Sequence, residues 1–230
     1  MVIQQSPEPN TVMFTWINQY SGVLLQTQTK TLLVDPVDVK AKNYPKIDAI
    51  LITHEHYDHL DQTIVTDIQK ATGCAVIADP ASTKKLQTTI PPAKLVAIKA
   101  GQQTKLGAVT IKAQKSNHHA TSPNTYIITS EDGVKIYHTS DSLPFPEMGQ
   151  MGQKEHIDIV FCTVGAAPGA TAESGFEIAW LTKPALAVPY HTGSPANQTK
   201  FAELMKTKLR KSACLIPELN QTYQVSKRQN

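Results

Sequence analysis

Six consecutive residues, His54-Glu55-His56-Tyr57-Asp58-His59, combine three imidazoles with carboxylates directly after an apolar run. Imidazole and carboxylate groups together suit divalent transition metals such as zinc, manganese or iron. Side chains that are adjacent in sequence cannot all point at one atom. The spacing therefore favours two neighbouring metal ions that share this loop, and it makes the chain a candidate metal-dependent hydrolase.

Further candidate ligands follow apolar segments later in the chain. His118 comes after one predicted strand, Asp141 after a second and His191 after a third. The carboxyl ends of strands in an open α/β sheet tend to gather ligands at one edge. His119 is the alternative to His118, and counting from the flanking segments favours His118.

The hydrophobic periodicity predicts the strands and helices that carry these residues. Strands dominate the first third, and Ile47 to Thr53 reads as a strand buried on both faces that ends at His54. A helix is predicted over Thr63 to Ala71, capped by Asp61 and ending near Gly73. Strands and helices then alternate, and Thr104 to Ala113 is predicted as one strand. The pattern predicts an α/β sandwich of two mixed sheets with helices outside, in one domain over residues 1–230.

Composition excludes several function classes. The 230 residues carry 22 basic and 19 acidic side chains, for a formal net charge of +3, and the basic residues are scattered. We therefore do not expect a nucleic-acid partner. The three cysteines are far apart and fit a reducing compartment. No secretory signal and no run long enough to span a bilayer is evident, so we expect a cytoplasmic protein that acts on a small-molecule substrate and makes no membrane contact. The oligomeric state is left open.

The order of the motifs resembles the metallo-β-lactamase fold superfamily. The resemblance rests on His54-x-His56-x-Asp58-His59 followed by His118, Asp141 and His191, and it extends from about Thr15 to Thr192. Leu33-Val34-Asp35-Pro36 is similar to the strand-end Asp that precedes the metal loop in that family. Within the superfamily, the run of His118, Asn124, Asp132-Gly133 and His138 to Asp141 looks most like the small metal-dependent hydrolases related to ascorbate-6-phosphate lactonase. The resemblance implies a four-layer αββα fold.

The resemblance also implies a ligand set. His54, His56 and His118 would hold one metal, Asp58, His59 and His191 the second, and Asp141 would bridge the two. Two zinc ions are expected, with manganese or iron as alternatives, and a bridging hydroxide would attack an ester-type bond in a lactone, a phosphodiester or a phosphorylated small molecule. Asp58 would be the catalytic group that orients the nucleophile or takes its proton. Asp35 would steady His54 or His59 from behind, and Tyr20, Tyr190 and Ser194 are candidate substrate contacts.

Several positions separate this chain from relatives of that fold. Flavodiiron oxidoreductases carry Glu where His56 stands, so the His favours hydrolysis over oxygen reduction. The usual Gly before the bridging Asp is Ser140 here, and Gln19-Tyr20-Ser21 stands where an N-terminal His is common. Two alternatives stay open. One is a nuclease acting on RNA or DNA, and the other is a non-catalytic metal or ligand sensor.

Overall fold

A computed structural model describes residues 6–44 and 46–228. The prediction of a single domain over 1–230 includes residues 1–5, 45, 229 and 230, which lie outside the described residues, and it stays a prediction. Two β-sheets form the centre of the molecule, and each has seven strands among the described residues. Within that part of the chain, we find no helix with the length and apolarity needed to span a bilayer.

The first sheet has the strand order β14-β1-β2-β3-β4-β5-β6. Its strands are β1 (Thr11–Trp16), β2 (Val23–Gln26), β3 (Thr31–Val34), β4 (Ala49–Ile52), β5 (Ala75–Ala78), β6 (Leu95–Ala97) and β14 (Thr222–Ser226). The strands from β14 to β3 pair antiparallel, and those from β3 to β6 pair parallel. The sheet is therefore mixed, as the sequence predicts.

The second sheet has the order β13-β12-β11-β10-β9-β8-β7 and is also mixed. Its strands are β7 (Gln103–Leu106), β8 (Val109–Lys115), β9 (Asn124–Thr129), β10 (Lys135–His138), β11 (Ile159–Thr163), β12 (Leu186–Tyr190) and β13 (Ala213–Cys214). The helices are α1 (Gln62–Thr72), α2 (Pro80–Leu86), α3 (Glu147–Glu155), α4 (Ala172–Thr182) and α5 (Pro195–Lys208). Short 3₁₀ turns lie at Ala41–Asn43 and Pro92–Lys94.

Alternation along the central strands creates four layers. In β4, Ala49 and Leu51 face the core between the two sheets, whereas Ile50 and Ile52 pack against α1 and α2. In β11, Phe161 faces the inter-sheet core and Val160 packs toward α3, α4 and α5. Side chains of a strand point to opposite faces, so strands that are apolar throughout must be covered on both sides. The predicted αββα sandwich is confirmed.

The helix that follows the His54–His59 segment begins and ends where the sequence indicates. The Asp61 side chain accepts a hydrogen bond from the Ile64 N–H at 3.0 Å, and Gly73 closes α1 in the left-handed region at φ 67°. Because the cap fixes where α1 begins, the His54–His59 segment is held between the end of β4 and the start of α1.

Three element predictions were wrong or incomplete. Thr104 to Ala113 is two strands rather than one, because Gly107 turns the chain at φ 64°. Helix α3 was not predicted, since its sequence is polar and contains two glycines. One of them, Gly152, lies so close to α4 that an added Cβ would meet the Thr182 backbone at 2.6 Å. The edge strand β14 was also missed, because it is half exposed and its order depends on pairing with β1.

Candidate metal centre

The candidate ligands converge at the carboxyl ends of strands from both sheets. His54 follows β4, His118 follows β8, Asp141 follows β10 and His191 follows β12. All seven residues predicted as ligands lie in overlapping groups whose donor atoms are within 4.8 Å of one another. Segments more than a hundred residues apart in sequence therefore meet at one place. The groups are His54, His56 and His118, then His54, His59 and Asp141, and finally Asp58, His59 and His191.

The first histidine group is tightly packed. His54 Nε2 lies 3.1 Å from His56 Nδ1, and His118 Nε2 lies 3.2 Å from the same Nδ1 atom. His118 therefore faces the cluster, while its neighbour His119 is exposed. The geometry favours His118 over His119 as the ligand.

Asp141 lies between the two groups and presents one oxygen to each. Its Oδ1 atom is 2.9 Å from His59 Nε2 and 3.0 Å from His191 Nδ1. Its Oδ2 atom is 3.6 Å from His118 Nε2 and 3.9 Å from His54 Nε2. Asp58 is placed beside the second group, with Oδ2 3.7 Å from His59 Nε2. A carboxylate in this position can bind one ion with each of its two oxygens.

The donor set fits divalent metal ions. Among the described residues, His59 Nε2, both ring nitrogens of His191 and Asp141 Oδ1 are buried without a hydrogen-bond partner. The 2.9 Å approach of His59 to Asp141 is short, but the atoms do not align as a hydrogen bond does. Buried polar atoms are normally satisfied, and four such atoms at one place require an explanation. Imidazole nitrogens and carboxylate oxygens that face a common point are the ligands of zinc and related ions.

A buried network behind the cluster orients His59. Asp35 is fully buried, and its Oδ2 atom accepts hydrogen bonds from His59 Nδ1 at 2.8 Å and from Ser21 Oγ at 2.6 Å. Thr53 donates its backbone N–H to Asp35 Oδ1 and its hydroxyl to Oδ2. A proton held on Nδ1 leaves Nε2 of His59 free to face the cluster. Of the two partners predicted for Asp35, the structure places His59 in contact.

Burial and charge set the protonation of the histidines in the metal-free chain. Burial, helped by the nearby charge of His59, lowers the pKa of His54 to about 2, and burial lowers the pKa of His118 as well. Burial also opposes the charged form of His59, but the carboxylates of Asp141 and Asp35 outweigh it and raise the pKa of His59 to about 10. Asp141 is buried, yet the charges of His59 and His191 hold its pKa below the ordinary range. His59 thus carries the proton that a metal ion would have to displace.

Three residues of the cluster and its support have left-handed backbones. Asp35, Ser140 and His191 have φ values of 44°, 50° and 53°. Such conformations are uncommon outside glycine and cluster at functional sites. The left-handed backbone at Ser140 explains why the family that this chain resembles usually has Gly at this position. The Ser140 hydroxyl meets Thr53 Oγ1 at 2.8 Å, a contact that Gly could not make.

The remaining histidines and the candidate substrate contacts lie outside the donor groups. His138 is buried in the second sheet with Nε2 2.8 Å from the Ser21 carbonyl oxygen, and His156 ends α3. Tyr190 was wrongly predicted as a substrate contact, because it is fully buried in the core. Tyr20 is half buried, with its ring 6.2 Å from that of His191. Ser194 is half buried and begins α5.

Sequence reasoning missed the residue that ties the two histidine loops together. Glu55 turns away from the cluster, and its Oε1 atom accepts hydrogen bonds from the Thr121 backbone N–H at 2.9 Å and hydroxyl at 2.5 Å. Thr121 lies in the loop that carries His118. The position of Glu55 between two candidate ligands was the available signal.

Comparisons with known proteins identify relatives of this chain. A model of a β-lactamase superfamily domain matches residues 15–192. A UPF0173 protein of Pyrococcus abyssi is 31% identical over 173 residues, which cover 74% of this chain and 79% of the relative. A UPF0173 metal-dependent hydrolase of Pyrobaculum calidifontis is 27% identical over 184 residues, or 75% of this chain and 80% of the relative. The metallo hydrolase Igni18 of Ignicoccus hospitalis is similar in fold, with a TM-score of 0.81, 20% identity, and coverage of 95% of this chain and 100% of that chain.

Proposed function

The chain belongs to the β-lactamase superfamily and is a metal-dependent hydrolase, and we propose that it holds two divalent ions that activate a shared water to cleave an ester-type bond in a small molecule. The candidate bonds are those of a lactone, a phosphodiester or a phosphorylated small molecule. Zinc is the proposed metal, with manganese and iron as alternatives, because the ligands are imidazole and carboxylate. The assignment of His54, His56, Asp58, His59, His118, Asp141 and His191 as ligands is part of the proposal.

The observation that carries the proposal is the division of the histidines by Asp141. One carboxylate oxygen faces His59 and His191, and the other faces His54 and His118. A single ion would not need both oxygens to face separate nitrogen sets. The arrangement supports two ions that share Asp141.

Bound together, two divalent ions would lower the pKa of a shared water and polarise the oxygen of the scissile bond. The chain supplies the rest of the chemistry. Asp58 lies at the edge of the second group with its carboxylate partly exposed, so it can orient an attacking water and accept its proton. Asp35 holds His59 in one orientation from the buried side. His56 is half buried, and together with His118 it lines a cavity that opens this side of the cluster to a substrate.

The proposed function is tested with the metal-loaded protein and a panel of lactones and phosphodiesters. We expect turnover in the native chain and its loss in a folded Asp58→Asn variant, whose amide oxygen can still bind an ion but which cannot accept a proton. Asp61→Asn is the matched control, because it keeps the helix cap and lies outside the cluster. A native protein that binds two ions but hydrolyses nothing in the panel would favour a sensor. Salt-dependent binding and cleavage of single-stranded nucleic acid would favour a nuclease.

A further inference from the structure

A cavity of about 540 Å³ opens directly beside the first histidine group. Its lining consists of His56, Asn117, His118, His119, Leu143 and Pro168. The volume is in the range of small-molecule sites, and two of the lining residues are candidate ligands. A second cavity, of about 580 Å³, lies between α4 and α5 and contains none of the candidate ligands. The cavity beside His56 and His118 is therefore the place for the part of a substrate that flanks the reacting bond.

The apolar wall of this cavity is held by the backbone. Leu143 donates its N–H to the Asn117 carbonyl at 3.1 Å, and Asn117 donates its N–H to Ser142 Oγ at 2.9 Å. Gly169 comes so near that an added Cβ would lie 3.3 Å from a methyl carbon of Leu143. The loops after β8, β10 and β11 are thus joined at Leu143. Because neighbouring loops hold this wall in place, the chemistry of its side chains decides which substrate group fits against it.

Among the described residues that line the cavity, none is Lys or Arg, so neither residue type brings a positive charge to this wall. Lys85 donates to the Glu55 carbonyl oxygen at 2.8 Å, and Lys115 pairs with Glu147 at 2.8 Å while its ammonium lies over the Phe145 ring. A carboxylate or phosphate placed against Leu143 and Pro168 would lose hydration without gaining a Lys or Arg partner.

We propose that the substrate group next to the scissile bond is uncharged and apolar, such as a neutral acyl or alkyl chain. The inference rests on the proposed hydrolase function and narrows it. Leu143 and Pro168 would contact that group, while the exposed imidazole of His119 at the rim could hydrogen-bond a neutral oxygen. Among the candidate substrates, neutral lactones and esters fit, and molecules with a second phosphate or carboxylate at this position do not.

The test is a binding comparison with two hydroxamates, which attach to metal sites without turnover. Hexanohydroxamic acid and the monohydroxamic acid of adipic acid have the same six-carbon chain, and the second ends in a carboxylate. We expect the zinc-loaded protein to bind the neutral compound at least about tenfold more tightly in calorimetry. Equal affinity, tighter binding of the carboxylated compound or no binding of either would overturn the inference.

Variants of the wall identify the origin of the preference. Leu143→Lys adds a cation whose stem can pack along the apolar wall, and it should shift the affinity ratio at least about tenfold toward the carboxylated compound. Leu143→Met keeps the wall apolar and should leave the ratio unchanged. A ratio that is the same in Leu143→Lys and native protein would show that this wall does not select. If no ester is hydrolysed but the hydroxamate preference persists, the proposal of ester cleavage fails and the preference stands as a binding property.

Discussion

His59 Nδ1 lies 2.8 Å from Asp35 Oδ2, and both side chains are fully buried. The contact connects the second histidine group to β3, because Asp35 directly follows Val34 at the end of that strand. It also fixes which nitrogen of His59 faces Asp141. The orientation of a candidate ligand thus depends on a residue that lies outside the donor groups.

Replacing Asp35 separates this orienting role from its structural role. Asp35→Asn preserves the shape but removes the anion beside His59, and we expect the affinity for one of the two metal ions to fall about 10- to 100-fold. Asp35→Ala also leaves Ser21, Thr53 and His59 without their buried acceptor, and it should cost about 3–5 kcal/mol in the free energy of unfolding. Metal titration and denaturant unfolding measure the two effects. Unchanged metal affinity in Asp35→Asn would contradict the orienting role.

The metal-free protein should lose stability as the pH rises from about 6.5 to 8.5. The pKa of His59 is raised to about 10 in the folded chain, whereas an unfolded histidine has a pKa of about 6.5. The stabilisation is fully present below the unfolded pKa and is lost as the pH rises through the folded one, with a slope of at most about 1.4 kcal/mol per pH unit. Chemical unfolding of chelator-treated protein measures this slope.

His59→Gln is the control for that pH dependence, and its stability should be nearly level over the same range. Zinc binding should also release a proton at pH 7, because the ion must displace it from His59. Calorimetry in two buffers of different ionisation enthalpy detects this proton. A chelator-treated native protein that grows more stable between pH 6.5 and 8.5 would refute the assignment.

Asp141→Ala should lower the metal content from about two ions per chain to one or fewer. The reason is that both nitrogen groups face oxygens of this one carboxylate. Elemental analysis of the purified variant gives the count, and Asp132→Ala in the surface turn after β9 serves as a substitution of the same kind outside the cluster. Two ions in Asp141→Ala would rule out a bridging role.

Adjacent histidines provide a matched pair for the first metal position. His118→Ala should lose an ion and lower the thermal midpoint of the metal-loaded protein, since bound metal stabilises the folded state. His119→Ala should retain both ions, because His119 is exposed and outside the donor groups. Metal analysis and thermal unfolding of the two variants decide the assignment. The reverse pattern would make His119 the ligand.

Much of the fold was readable from local patterns. The continuous apolar run over β4 predicted a strand covered on both faces, and Asp61 and Gly73 marked the ends of α1, because each of these signals acts within a few residues. Helix α3 and strand β14 were not readable. The order of α3 depends on the close approach of Gly152 to α4, and that of β14 on pairing with β1, more than two hundred residues away in sequence.

The amino-acid sequence was enough to show which side chains could bind metal, because imidazole and carboxylate chemistry is local and the His54–His59 segment is dense in it. Three spatial relations became visible only in the folded chain: Asp141 lies between two nitrogen groups, His118 rather than His119 faces them, and Asp35 orients His59. The first two relations join strand ends from two different sheets, and the third joins the end of β3 to the loop after β4. The distances between the two sheets are set by how they pack across a shared core, and no short stretch of sequence encodes that packing.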